Sequence, residues 1–179
     1  LGTYSDRVYY LVTRVASAVR KKYPETWIGC LAYTEYIDPP SQKTEPNVYV
    51  SITTAFNPSK YPVEVLIEKW SKKTGMVGVY DFFALFAWDR DSPGQSQMSN
   101  MPKVIKSIRK YYKAGAKGYE GESSQGWVSK GLGHFICAKL MWDVNTDVEA
   151  CKKEFFDLCF LKASALMRKM WDEWEAYPY

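Results

Sequence analysis

A single histidine, His134, stands in 179 residues. One imidazole with no Cys or Ser in a known motif beside it is a poor activating base for a nucleophile, and it is read as structural. The chain has no HExxH, no GxSxG, no phosphate loop and no GxGxxG after a strand. Zinc proteolysis, serine hydrolysis and phosphate cradling therefore lack support. The four cysteines, Cys30, Cys137, Cys151 and Cys159, form no CxxC pair. Cys151 and Cys159 fall eight apart on one helix, roughly 12 Å by helical rise, which is too far for a disulfide. They are read as four buried thiols. No apolar run reaches the roughly 18 residues of a membrane span. Charge is nearly balanced, with 24 basic and 20 acidic residues, so no nucleic-acid partner is expected. No cofactor and no metal is called for. The opening Leu-Gly-Thr-Tyr-Ser-Asp carries no basic, apolar leader and reads as cut from something longer.

What is abundant is aromatic: 14 Tyr, 8 Phe and 7 Trp. They suit a sizeable core or a groove lined with flat rings.

Periodicity predicts a helix over 5–22, capped by Ser5 or Asp6, with Val8, Leu11, Val12, Val15 and Val19 inward. A strand follows at 27–36, with its core at 27–35. Asp38-Pro39-Pro40 breaks the chain, and a second strand runs over 47–55. A helix is expected at 62–74 and a third strand at 76–84. The polar stretch 88–100 reads as a long loop. A helix over 102–114, with Ile105, Ile108 and Tyr112 inward, leads to a fourth strand near 116–121. Helices follow at 130–142, capped by Ser129, at 147–159 and at 162–175, the last with Leu166, Met170 and Trp174 on one stripe. Strand and helix alternate, which argues for an α/β fold of parallel strands covered by helices.

Each strand ends in aromatic or acidic residues. In a parallel sheet those ends share one edge, where a (β/α)8 barrel builds its site. The carboxylates there are Glu35, Asp81, Glu120 and Glu122. Two carboxyls across a glycosidic bond suffice for hydrolysis, one as acid and one as base or nucleophile. Asp81, Glu120 and Glu122 are the catalytic candidates. Asp81, flanked by Tyr80, Phe82 and Phe83, is expected to face the site from an apolar wall. Tyr33, Glu35, Tyr80, Trp88 and Trp127 are the substrate-binding candidates, with Trp88 and Trp127 in loops. The run Lys103, Lys106, Arg109, Lys110 and Lys113 reads as a solvated helix face.

The series KKYPETWIGCLAY, a proline pair, PNVYV, GVYDFF, YYKAGAKGYEGES and AKLMWDVNTDVEACKKEFF resembles the C-terminal part of a bacterial, glycosidase-like family of unknown function. That family is related to alpha-glucuronidases and beta-hexosaminidases. Tyr33 matches the tyrosine of its LAY element, and Tyr80 and Asp81 match its YDY pair, with Phe82 replacing the last tyrosine. Glu120 or Glu122 matches a glutamate after a glycine-bearing strand, and Trp142 a helix tryptophan. The tail CFLKAS departs from the tyrosine-glycine pair of the relatives. The resemblance implies the C-terminal half of a (β/α)8 barrel with additional helices, a carbohydrate substrate and a secreted or periplasmic setting. It also implies a first half-barrel upstream. Half a barrel leaves two open sheet edges, so an isolated chain is expected to form a homo-oligomer or to be completed by further segments. The expected activity is glycoside hydrolysis. The alternatives are a non-catalytic carbohydrate-binding module and an inactive fragment.

Overall fold

The computed structural model describes residues 2–84, 100–123 and 127–176. Helices α1 (Tyr4–Lys22), α2 (Val63–Trp70), α3 (Met101–Lys113), α4 (Trp127–Trp142), α5 (Val148–Phe160) and α6 (Ser164–Ala176) alternate at first with strands β1 (Ile28–Ala32), β2 (Val48–Thr53), β3 (Met76–Ala84) and β4 (Gly118–Ser123). The sheet is four-stranded and parallel, in the order β1-β2-β3-β4. Such a sheet and its helices are compatible with half of a (β/α)8 barrel. The chain divides into two compact units, one from the stretches up to Asp81 and Lys110–Gly121, the other from those beginning at Phe82 and Glu122.

In the first unit, β2 sets the layering. Val48, Val50 and Ile52 are fully buried and join Val77 and Val79 in a core with Tyr9, Ala16, Leu66, Ile67 and Trp70 of α1 and α2. Trp70 anchors this layer. Its ring meets Tyr9 at 4.7 Å, and its indole N–H donates to the Ile37 carbonyl at 2.8 Å. The Tyr9 hydroxyl donates to the Leu31 carbonyl at 2.7 Å. A buried ring with a satisfied polar tip fixes orientation as well as supplying apolar area.

The link from β1 to β2 carries no helix. It has a 3-10 turn at Thr34–Tyr36 and then runs past the N-terminus of α1. There Asp6 does two jobs. It closes a capping box with Thr3, and its Oδ1 accepts from the Ser41 N–H at 2.7 Å and the Ser41 hydroxyl at 2.8 Å.

Several expectations are corrected. The cap of α1 is Thr3, and Ser5 is buried within the helix. Leu11 and Val15 are exposed rather than inward. The apolar residues of α1 span more than one face, and Tyr9, pinned to Trp70 and Leu31, selects the one that turns in. On α3 the buried positions are Met101, Val104, Ile108 and Tyr111, while Tyr112 is exposed. β1 stops at Ala32, where the backbone turns. α4 begins at Trp127, so Ser129 lies inside it. Cys137 and Cys151 are buried, but Cys30 is half-buried and Cys159 exposed.

In the second unit Phe156 packs against Phe155, Phe160 and Trp171, and Trp171 against Trp174. Leu166, expected on the inward stripe of α6, is exposed. Lys152 of α5 lies 3.1 Å from Glu175 of α6.

The Asp6 contacts generate an acid-stability test. The Thr3 backbone N–H, then the Ser41 N–H and hydroxyl, hold the Asp6 carboxyl well below the usual carboxylate range. A depressed folded pKa contributes stability above the unfolded value, and that contribution is lost as pH falls below about 4. Asp6→Asn should therefore lower stability at pH 7 and flatten its decline below pH 4, read by urea unfolding across pH.

Candidate functional site

The face of β2 opposite the helices carries Tyr49, Ser51 and Thr53, because side chains alternate along a strand. The register sets Gly29 beside Tyr49, Leu31 beside Ser51, and Gly78 beside Ser51. Two glycines open a lane across this face. A Cβ at Gly78 or Gly118 would overlap the Tyr49 hydroxyl. With hydrogens there instead, the Tyr49 ring reaches from β2 over β3 to β4, and its hydroxyl donates to Glu120 Oε1 at 3.3 Å. The Ser51 hydroxyl donates to the same oxygen in a short hydrogen bond. Burial, with the Glu120 charge adding to it, pushes the Tyr49 phenol up, so it remains a donor at neutral pH.

These groups line a cleft of about 200 Å³ with Gly29, Cys30 and Leu31. Burial pushes the Cys30 thiol up to about 11, which keeps it protonated and unreactive. Glu120 is exposed. Both hydroxyls go to its Oε1, and among the described residues no hydrogen bond reaches its Oε2. The site thus presents an acceptor carboxylate, held in place at one oxygen, on a small-residue sheet face.

Asp81 stands elsewhere. Thr53 pairs with Tyr80 and Ile52 with Val79, so Tyr80 takes the Ser51 side and Asp81 the helix side. The expectation that Asp81 rather than Tyr80 turns toward the glutamate is thereby reversed. Asp81 is buried, with 3% of its surface exposed. Its Oδ1 accepts from the Thr54 hydroxyl and its Oδ2 from the Tyr119 hydroxyl, each at 2.5 Å. Its surroundings include two hydroxyl donors rather than only an apolar wall. They tie the ends of β2, β3 and β4 together.

The aromatic and acidic residues after β1 form another group. Tyr33 precedes the 3-10 turn and meets Phe56, from the loop after β2, edge to face at 6.1 Å. Thr34 (φ 44°) and Phe56 (φ 53°) both take the left-handed backbone region, which costs a bulky or β-branched residue on the order of 1–3 kcal/mol. Glu35 is exposed on the turn, its carboxyl held below the usual range by its own backbone N–H and then by Thr34.

Glu122 is half-buried on β4. In the same unit, Ser123 Oγ lies 3.1 Å from His134 Nε2. Burial, and then the Lys130 charge, hold His134 below its ordinary range. Lys130 itself is fully buried. Trp127 opens α4 instead of lying in a loop. Trp88 lies outside the described residues. The basic residues of α3 are exposed as a helix face, with Lys110 also 3.1 Å from Glu64. Among the described residues, no group of three or more His, Cys, Asp or Glu side chains is placed to hold a metal ion, and no helix is long and apolar enough to cross a membrane.

The structure therefore joins Glu120 to Tyr49 and Ser51, which the strand-end reading passed over, and sets Asp81 on the other side of the sheet. The signal for both missed residues was present. Val48-Tyr49-Val50-Ser51-Ile52-Thr53 alternates apolar with polar, which marks one polar sheet face.

Residues 1–172 match the family model described as Domain of unknown function (DUF4838). The chain belongs to that family. Neither the curated proteins nor the solved structures contain a match to it.

Three variants test this geometry by urea unfolding. Asp81→Ala leaves the Thr54 and Tyr119 hydroxyls without their shared acceptor and should cost about 3 kcal/mol. Gly78→Ala should cost about 1–3 kcal/mol by forcing the Tyr49 ring aside. In Tyr49→Phe, whose ring still crosses the lane, the Glu120 contact is lost with a smaller cost.

Proposed function

We propose that this chain is the carbohydrate-active part of a glycoside hydrolase, related to the alpha-glucuronidase and beta-hexosaminidase group. The observation that carries this reading is Glu120, a carboxylate held by the Ser51 and Tyr49 hydroxyls over a cleft on the sheet face. A carboxylate that accepts two hydrogen bonds at one oxygen is held as an acceptor. That suits the base or nucleophile of glycoside hydrolysis, in which a second carboxyl protonates the leaving oxygen and water adds at the anomeric carbon. Hydroxyl-rich surroundings also suit a ligand that is itself a polyol. The reading further implies that the sheet belongs to a (β/α)8 barrel, with other strands, from this protein or a second copy, beside β1 and β4. Fold alone licenses no chemistry, so the proposal stands on the glutamate and its two donors.

The second carboxyl is sought between Asp81 and Glu122. Asp81, enclosed and tied to two hydroxyls, is assigned to bracing the strand ends, and Glu122 to proton donation.

The test is release of p-nitrophenol from a panel of aryl glycosides. Glu120→Gln should lower turnover by roughly 10²–10⁴-fold with unfolding unchanged. Glu122→Gln should do the same, whereas Asp81→Asn should act mainly through stability. Wild-type turnover in Glu120→Gln removes the glutamate from the mechanism. Glycan binding by the wild type without any turnover favours a non-catalytic binding module instead.

A further inference from the structure

A cleft of about 300 Å³ runs along the first turns of α1. It lies on the helix side of the sheet, away from Glu120. Tyr9, Tyr10 and Thr13 form one wall, and the segment from Pro40 to Thr44 forms the other. Both walls are fixed from behind. Tyr9 is held by the Leu31 carbonyl and the Trp70 ring. The facing segment is clamped at two points. Ser41 donates twice to Asp6 Oδ1, and its carbonyl accepts from the Lys73 ammonium. The Thr44 N–H donates to the Lys73 carbonyl at 2.8 Å, and its hydroxyl to the Thr74 hydroxyl at 3.0 Å. A cleft whose walls are already tied down binds a ligand at little ordering cost.

Between the clamps, polar groups are left over. Gln42 and Lys43 are exposed. Among the described residues neither side chain has a hydrogen-bond or ion-pair partner, and the Thr13 hydroxyl across the cleft has none either. Charge decides what they suit. Asp6 also lines the cleft, but it already accepts four hydrogen bonds, two on each oxygen. It calls for no cation. Lys43 is the unmatched charge, and Arg14, whose guanidinium lies 6.0 Å from the centre of the Tyr10 ring, adds positive charge on the opposite wall.

We propose that this cleft binds a small organic anion, a single ring bearing a carboxylate, with the ring between Tyr10 and Pro40 and the carboxylate on Lys43. The apolar wall atoms take the ring. The Lys43 ammonium and the Gln42 amide donate to the carboxylate oxygens, and the Thr13 hydroxyl meets a polar substituent on the ring. A volume at the small end of ligand pockets suits one ring rather than a chain of them. The site is separate from the carbohydrate reading, and it stands whether or not glycosides are cleaved.

The experiment titrates phenylacetate into the protein by saturation-transfer NMR, with benzylamine and phenylacetamide as its cationic and neutral counterparts and thermal unfolding in parallel. Phenylacetate should bind with a Kd of about 1 mM or tighter, about tenfold better than benzylamine, and should raise the unfolding temperature. Lys43→Gln, at an exposed and unpaired position, should leave the unfolding temperature of the free protein unchanged. It should weaken phenylacetate about fivefold, the scale of an exposed ion pair, and leave phenylacetamide unchanged. Tyr10→Ala should weaken both ligands by a similar factor. Absence of phenylacetate binding overturns the site. So does equal affinity for benzylamine, or unchanged phenylacetate affinity in Lys43→Gln or Tyr10→Ala.

Discussion

The period-two pattern of β2 is the constraint on which the first unit depends. Val48, Val50 and Ile52 are fully buried against α1 and α2, and a one-residue slip would turn all three to the opposite face. That register delivers Tyr49 and Ser51 to the other side, where both meet Glu120. Core and candidate site are thus two faces of one strand. The apolar face supplies the free energy that holds the polar face in place, and a strand inside a sheet is a stiff platform for such groups.

The glycines complete that arrangement. Gly78 and Gly118 are required by close approach rather than by backbone angle, since each would place a Cβ on the Tyr49 hydroxyl. Their absent side chains let one tyrosine span three strands. At the C-terminal edge, Asp81 gathers Thr54 and Tyr119. A buried carboxylate that accepts from two hydroxyls, one on each oxygen, couples the strand ends to one another. Phe56, two residues after Thr54, and Thr34, in the turn after β1, take left-handed backbone.

The second unit is organised on a different principle. Its helices α5 and α6 are joined through rings, with Phe156 and Trp171 at the centre, and through Lys152, whose ammonium meets Glu175 and Glu149. Lys152 is nearly buried, so its carboxylate partners offset the cost of withdrawing its charge from water.

Element type and order were legible in the chain, because Pro62, Gly75 and Gly115 punctuate it and apolar periods switch cleanly between two and 3.6. The parallel pairing was expected from helical links and from the 37–46 crossover, the latter near the shortest that can connect parallel neighbours, and β1 and β2 do pair in parallel. The carboxylates Asp81 and Glu120 were visible as strand-end acids. Which way a helix turned was not visible when apolar residues covered more than one side, as with Leu11 on α1 or Tyr111 and Tyr112 on α3. Nor could sequence say that Asp81 faces the helices and Glu120 the opposite side. Facing depends on which residue of one strand meets which residue of the next, a relation between distant segments that no local pattern encodes. The meeting of Tyr49 with Glu120 depends further on two glycines from two other strands. Composition and periodicity determined the layers of this protein, and only the tertiary register, set by burial of β2, decided which groups meet.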